Sequence, residues 1–88
     1  MSDARLLIDL EVFEFLRRLP RRDQEPLLKR FREIAAFPGR FSDFSEHDTA
    51  GRRVDVHVLG RFAIKFWDDF ADRQVKILDL HFADRPPQ

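Results

Sequence analysis

The chain has 88 residues, which is enough for one hydrophobic core and too little for two domains. Hydrophobic residues make up 43% of it and charged residues 36%, a balance that excludes an intrinsically disordered protein. The formal net charge is +0, which gives no whole-chain signal for nucleic acid. Cysteine is absent, which excludes disulfides and thiolate metal sites.

The first part of the chain predicts a helix after an ambiguous start. The segment from Arg5 to Ile8 fits either a short strand or the beginning of a helix, and its pattern does not decide between them. From Asp9, a candidate N-cap, apolar residues recur at helical spacing and predict a first helix that ends before Pro20. Its apolar stripe consists of Val12, Phe13, Leu16 and Leu19.

A second helix is predicted from about Asp23 to Ala36. Asp23 is placed to cap it, and Pro26 then falls in the first turn, where a missing N–H costs nothing. The apolar stripe of this helix consists of Leu27, Leu28, Phe31, Ile34 and Ala35. Because the link between the two helices is short, we expect an antiparallel helix hairpin.

The segments "RRVDVHV" and "FAIKFW" alternate between apolar and polar residues and predict a β-hairpin. A three-residue loop centred on Gly60 pairs Val56 with Ile64, so that the apolar residues of both strands face the core. This register leaves Asp55 and His57 on the outward side of the sheet.

Two further strands are predicted on either side of this hairpin. The segment "RFSDFSEHD" alternates imperfectly and is interpreted as a weak edge strand or a loop. The segment "VKILDLHF" is apolar on both faces at Ile77 and Leu78, which is typical of a central strand, and it places Asp79 and His81 outward. Helices followed by strands predict an α+β fold, with the helix hairpin packed on a three- to four-stranded antiparallel sheet.

The outward side of this predicted sheet carries titratable residues. His57, Lys65 and His81 would share it and could perform acid–base chemistry on a phosphate, with Lys65 stabilising negative charge. The register also sets Arg53 against Trp67 in a cation–π contact. The competing interpretation is the solvent-exposed side of an ordinary antiparallel sheet, which commonly carries a mixture of charged and polar residues without a catalytic role.

Positive charge is concentrated between Arg17 and Arg32, where seven Lys or Arg residues meet two Asp or Glu residues. Arg30 and Arg32 are candidate phosphate-binding residues, and the competing interpretation is a solvated helix hairpin. The sequence shows no Gly-rich phosphate loop, no nucleophile triad and no His/Asp metal cluster. We therefore expect neither a cofactor nor a metal.

The chain is expected to be a cytoplasmic protein without a membrane partner. No apolar run approaches the ~20 residues of a membrane span, and acidic residues interrupt the N-terminal apolar run, unlike in a signal peptide. We interpret residues 1–88 as a single domain with a tail at 85–88, where Pro86 and Pro87 end regular structure.

Three segments follow one another as "FEFLRRLPRRDQEPLLKRFREIAAFPG", "GRRVDVHVLGRFAIKFWDD" and "VKILDLHFADR". Their order resembles the RelE/ParE toxin superfamily of bacterial type II toxin–antitoxin and plasmid-stabilisation systems, over about Asp9 to Arg85. The resemblance implies a helix hairpin on a twisted antiparallel sheet and a cognate antitoxin that holds the toxin inactive. RelE-like members cleave messenger RNA on the ribosome, and ParE-like members poison DNA gyrase.

The resemblance predicts a toxin component that inhibits translation or DNA gyrase. RelE-like ribonucleases usually carry an arginine where this chain has Ala63, and a basic residue followed by tyrosine where it has His81 and Arg85 and no tyrosine at all. One alternative is a non-enzymatic protein-binding module of the same fold. The other is a messenger endoribonuclease that uses His57, Lys65 and His81. The candidate binding residues are Arg53, Trp67, Arg30, Arg32 and Arg85.

Overall fold

The computed structural model describes residues 4–84, in which two helices pack on one face of a five-stranded sheet. The elements in chain order are β1 (Arg5–Ile8), α1 (Leu10–Arg17), α2 (Arg21–Ala36), β2 (Phe44–His47), β3 (Arg53–Leu59), β4 (Phe62–Asp69) and β5 (Gln74–Phe82), with a 3₁₀ turn at Pro38–Phe41. Across the described residues, no helix is both long and apolar enough to cross a membrane.

The strands lie in the order β1-β5-β4-β3-β2. β1 is parallel to β5, and every other neighbouring pair is antiparallel. The α+β architecture with a helix hairpin is confirmed, but the predicted strand count was too low. The segment from Arg5 to Ile8 is a strand, and the alternation of its own residues could not decide this because its partner is the distant β5.

Both helices form, although α2 begins earlier than predicted. Asp9 occupies the N-cap position of α1 but its side chain makes no capping hydrogen bond. The N-cap of α2 is Pro20, whose carbonyl accepts hydrogen bonds from the N–H groups of Asp23 (2.9 Å) and Gln24 (3.1 Å). Asp23 therefore lies inside the helix, where its carboxylate binds the Arg61 guanidinium at 2.7 Å.

Because α2 begins at Arg21, Pro26 lies beyond the first turn and not within it as predicted. Its ring removes one helical hydrogen bond, the one to the carbonyl of Arg22, and crowds that carbonyl. We expect Pro26→Ala to raise the free energy of unfolding by about 1–3 kcal/mol, measured by urea denaturation. The neighbouring Glu25→Ala is the control and should change it little, and an unchanged or lower stability of Pro26→Ala would contradict the argument.

The register of the β3–β4 hairpin differs from the prediction. Leu59 pairs with Phe62 and Val58 with Ala63 around a two-residue turn, Gly60 and Arg61. Gly60 has a φ of 58°, as the first central residue of a type II′ turn requires, and such turns match the twist of the paired strands. The predicted three-residue loop is therefore wrong, and so is the pairing of Val56 with Ile64.

This register exchanges the two faces of β3. Directly opposed residues of antiparallel strands share a face, so His57, opposite Ile64, points toward the helices. Val56, opposite Lys65, points away from them, although it is only 4% exposed. The predicted outward positions of Asp55 and His57 are wrong.

A β-bulge in β5 sets its two faces. Lys65 pairs with Asp79 and Phe66 pairs with Ile77, which leaves Leu78 without a partner on β4. The extra residue shifts the alternation by one position. Ile77 therefore faces the core, while Asp79 keeps its predicted outward position.

The core lies between the helices and the inner face of the sheet. It consists of Val12, Leu16, Leu27, Phe31, Ile34, Ala35, Phe62, Ile64, Phe66, Val75, Ile77 and Leu80. Phe31, Ile64 and Phe66 are fully buried. Phe13 is 51% exposed, so it does not belong to the core-facing stripe of α1 as predicted.

Candidate functional site

The sheet face turned away from the helices, here called the outer face, carries the candidate site. Its residues follow from the pairing of the strands: Phe44 and Glu46 of β2, Val54, Val56 and Val58 of β3, Ala63, Lys65 and Trp67 of β4, and Lys76, Asp79 and His81 of β5. The helices cover only the opposite face, so the outer face is the surface of the sheet that a large substrate can reach.

An oriented histidine lies on the outer face. The Nδ1 atom of His81 lies 2.7 Å from the Oδ2 atom of Asp79. A carboxylate can only accept hydrogen bonds, so Nδ1 donates its proton and the neutral ring keeps its lone pair on Nε2. His81 is opposite Ala63, whose small side chain places no bulk against the ring. The pair can act as a general base held by a carboxylate.

Lys65 lies beside this pair but is already engaged. Its strand partner is Asp79, which places it diagonally from His81, at roughly 7–8 Å. Its Nζ atom binds the Oε1 atom of Glu46 at 2.7 Å. Because β2 and β4 flank β3, this ion pair passes over the outer side of β3. It covers Val54 and Val56, which explains how apolar side chains are buried on this face.

His57 does not belong to this group. It lies on the other side of the sheet, where its Nε2 atom contacts the Arg30 guanidinium and its Nδ1 atom lies 3.0 Å from the carboxylate of Asp43. Its ring packs edge-on against Phe41, with 5.2 Å between centroids. The side chain thus joins β3 to α2 and to the segment after the 3₁₀ turn. The structure brings Lys65 and His81 together and separates His57 from both.

The candidate binding residues have different environments. Arg53 pairs with Asp55 at 3.5 Å and not with Trp67. The Trp67 ring instead contacts two other cations, the Arg52 guanidinium at 4.3 Å and the Lys76 ammonium at 5.1 Å from the ring centroid. The predicted cation–π contact therefore exists with another arginine, because the shifted register moved Arg53 to the other face.

Among the predicted basic residues of α2, Arg30 is occupied and Arg32 is exposed. The Nε atom of Arg30 donates to Glu33 at 2.8 Å, and its guanidinium lies over the ring of Phe41 at 5.0 Å. Arg30 is thus part of the internal contact to His57, Phe41 and Glu33. Arg85 lies outside the described residues.

Sequence reasoning missed two acidic partners of the site. It placed Asp79 on the outer face but did not join it to His81, although a spacing of two on one strand puts both side chains on one face. It also missed Glu46, because the contact of Glu46 with Lys65 crosses a whole strand. Only the second contact leaves no local signal in the sequence.

Three carboxylates cluster at the end of β4, near Trp67. Burial, then the nearby carboxylates of Asp55 and Asp69, raise the pKa of Asp68 above its ordinary value of 3.8. The folded state therefore favours protonated Asp68, and this contribution to stability is lost as the pH rises through the raised pKa.

We expect Asp68→Asn to raise the free energy of unfolding at pH 7 by roughly 0.5 kcal/mol or less, since solvent screens this exposed group. The gain should shrink as the pH is lowered through the raised pKa, below which wild-type Asp68 is also neutral. Urea denaturation at several pH values measures it, with the exposed Asp72→Asn as the control. A gain that does not depend on pH would contradict the electrostatic cause.

No family model and no curated protein matches the sequence. Among solved structures, the crystal structure of the archaeal RelE–RelB complex from Pyrococcus horikoshii OT3 contains a similar chain, RelE. The two chains superpose with a TM-score of 0.76 at 23% identity, over 98% of this chain and 100% of that one. The chain has a RelE-like fold. The fold implied by the resemblance is confirmed, with an archaeal protein as the neighbour.

Within the RelE-like fold, the outer face of this chain departs from the ribonuclease pattern that the resemblance implies. Ala63 stands in place of the expected arginine, is 5% exposed and lies opposite His81. No tyrosine occurs in the sequence. The acid–base group that this face does offer is His81 with Asp79, accompanied by Lys65.

Proposed function

We propose that the protein is the toxin component of a type II toxin–antitoxin pair and that a cognate antitoxin holds it inactive. The observation that carries this proposal is the RelE-like fold over 98% of the chain. The neighbour of known structure was crystallised in a complex with RelB, which supports a protein partner for this chain as well.

The outer face is the proposed working surface, and messenger RNA on the ribosome is its proposed substrate. His81, oriented by Asp79, would take the proton from a ribose 2′-hydroxyl so that its oxygen attacks the adjacent phosphate. The 5′-oxygen of the next nucleotide then leaves and takes up a proton. Lys65 is close enough to stabilise charge on the phosphate once it exchanges Glu46 for the substrate.

A non-enzymatic binding module of the same fold is the second candidate, and two observations favour it. Lys65 is neutralised by Glu46, and Ala63 occupies the position where an arginine is expected. On this alternative the group of Arg52, Trp67 and Lys76 would anchor a target such as the ribosome or DNA gyrase, because a large aromatic side chain commonly dominates binding energy.

Induced expression in a bacterial host tests the toxin proposal. We expect growth to stop, and we expect co-expression of the small protein encoded next to this gene to restore growth and to co-purify with the chain. Primer extension on ribosome-bound messages and DNA supercoiling assays then separate the two targets. Normal growth, together with no co-purifying neighbour, would overturn the proposal.

A further inference from the structure

The hairpin of α1 and α2 exposes several cations that form no ion pair with another residue of the described part of the chain. Of the acidic residues on the two helices, Asp23 is bound to Arg61 and Glu33 is bound to Arg30, while Glu11, Glu14 and Glu25 are exposed. Within residues 4–84, six basic side chains of this region have no ion pair: Arg17, Arg18, Arg21, Arg22, Lys29 and Arg32. All six are exposed. Between Arg17 and Arg32, seven Lys or Arg residues meet two Asp or Glu residues, a local excess of +5 in a chain that is neutral as a whole. Over the whole hairpin the excess falls to +2, because Glu11, Glu14 and Glu33 also belong to it.

Three of these cations form what we call the basic stripe: Arg22, Lys29 and Arg32. They line one shallow depression on the outward side of α2, together with Glu25. Along the helix axis, Arg22 and Arg32 are about 15 Å apart. One strand of a nucleic acid duplex presents about four phosphates over that length. The stripe thus offers several positive charges at the scale of a repeating polyanion.

The residues that line the depression favour one class of anionic partner over the others. Its apolar residues are Pro26 and the half-buried Leu28, and it has no aromatic side chain. A peptide partner usually needs an apolar or aromatic anchor, and single-stranded nucleic acid needs aromatic rings on which its bases stack. A duplex backbone needs only cations, because its phosphates carry the interaction.

We propose that the basic stripe binds the phosphate backbone of a nucleic acid duplex. This goes beyond the toxin activity proposed for the outer face, because α2 lies on the opposite side of the sheet. A duplex held on α2 therefore leaves the outer face open. The stripe would hold the protein on structured nucleic acid while the outer face contacts its own target.

The test compares two triple variants that carry the same change in charge. The stripe variant is Arg22→Gln, Lys29→Gln, Arg32→Gln. The control variant is Arg5→Gln, Arg40→Gln, Arg73→Gln, whose positions are exposed and without an ion pair among the described residues. Fluorescence anisotropy measures the binding of labelled mixed-sequence duplexes, one of RNA and one of DNA, at a series of salt concentrations.

We expect wild-type protein to bind a duplex with an affinity that falls steeply with salt. The stripe variant should bind at least about tenfold more weakly at 0.1 M salt, and its logarithmic salt dependence should be shallower by about 2–3, since three phosphate contacts are lost. The control variant should stay within about twofold of wild type. The RNA and DNA arms show which duplex is preferred.

A second variant keeps the proposal testable if the triple variant does not fold. Glu25→Gln removes the acidic residue of the depression and should tighten duplex binding several-fold. Failure of wild-type protein to bind either duplex, or an equal loss in the control variant, would overturn the proposal. So would stronger binding to phosphatidylglycerol vesicles or to an acidic peptide than to the duplexes. Co-purification with the antitoxin is scored separately, so the toxin proposal stands or falls on its own result.

Discussion

His81→Ala should lower the rate of message cleavage on the ribosome by about 10²–10⁴-fold, the usual contribution of a general acid or base. The reason is geometric, because the Nδ1 atom of His81 lies 2.7 Å from the Asp79 carboxylate, an arrangement that leaves the lone pair of a neutral ring on Nε2. Single-turnover cleavage of a ribosome-bound message measures the effect. His47→Ala is the matched control, since His47 is exposed at the end of β2 and should retain the wild-type rate.

Asp79 should matter in a different way, because it positions His81 without touching the substrate. Asp79→Asn should lower the cleavage rate less than His81→Ala does, and it should also change the pH profile of the rate. If wild-type protein stops growth without cleaving message, and His81→Ala stops growth equally well, the binding module replaces the ribonuclease. In that case Trp67→Ala should weaken the effect on growth more than either change.

His57→Ala should lower the free energy of unfolding by about 2–4 kcal/mol, because it removes a buried ring together with two polar contacts. The residue is 7% exposed, and its side chain joins β3 to Arg30 of α2 and to Asp43. Urea denaturation measures the loss. His47→Ala again serves as the control, and a change of a few tenths of a kcal/mol is expected for an exposed site.

A second substitution separates packing from hydrogen bonding at His57. His57→Phe keeps a ring against Phe41 but removes both polar partners, so it should recover only part of the stability lost in His57→Ala. Full recovery would mean that the contacts with Arg30 and Asp43 contribute nothing. A loss of cleavage in His57→Phe at unchanged stability would mean that His57 acts in the reaction and not in the fold.

The elements that could be predicted from the sequence are those whose signal is local. The stripe of α2 was correct at Leu27, Phe31 and Ile34, because a helix buries one face at a fixed spacing. The core face of β4 was correct for the same reason, as Phe62 and Ile64 alternate cleanly. In both elements the residues that decide the structure are neighbours along the chain.

The wrong predictions concern features that depend on residues distant in the sequence. Matching the valines of β3 to the apolar face of β4 favoured a three-residue loop, since Val54 and Val56 were expected to need the helix-side core. In the structure the Lys65–Glu46 ion pair covers these valines on the outer face, so they are buried without contacting the helix-side core. His57 was expected in water because its sequence neighbours could not show that Arg30 lies above it.

The parallel pairing of β1 with β5 has a consequence for folding during synthesis. Arg5 can pair with its strand partner, Gln74, only after every residue between them has been synthesised. Pairings between such distant segments form late and slowly. The strand β5 also carries His81, so the pairing of the edge strand β1 and the proposed catalytic base are completed together. A chain that is still growing on the ribosome, or one released before β5, therefore lacks the proposed catalytic base. On the proposed function, the protein can act on its target only after β5 has been synthesised.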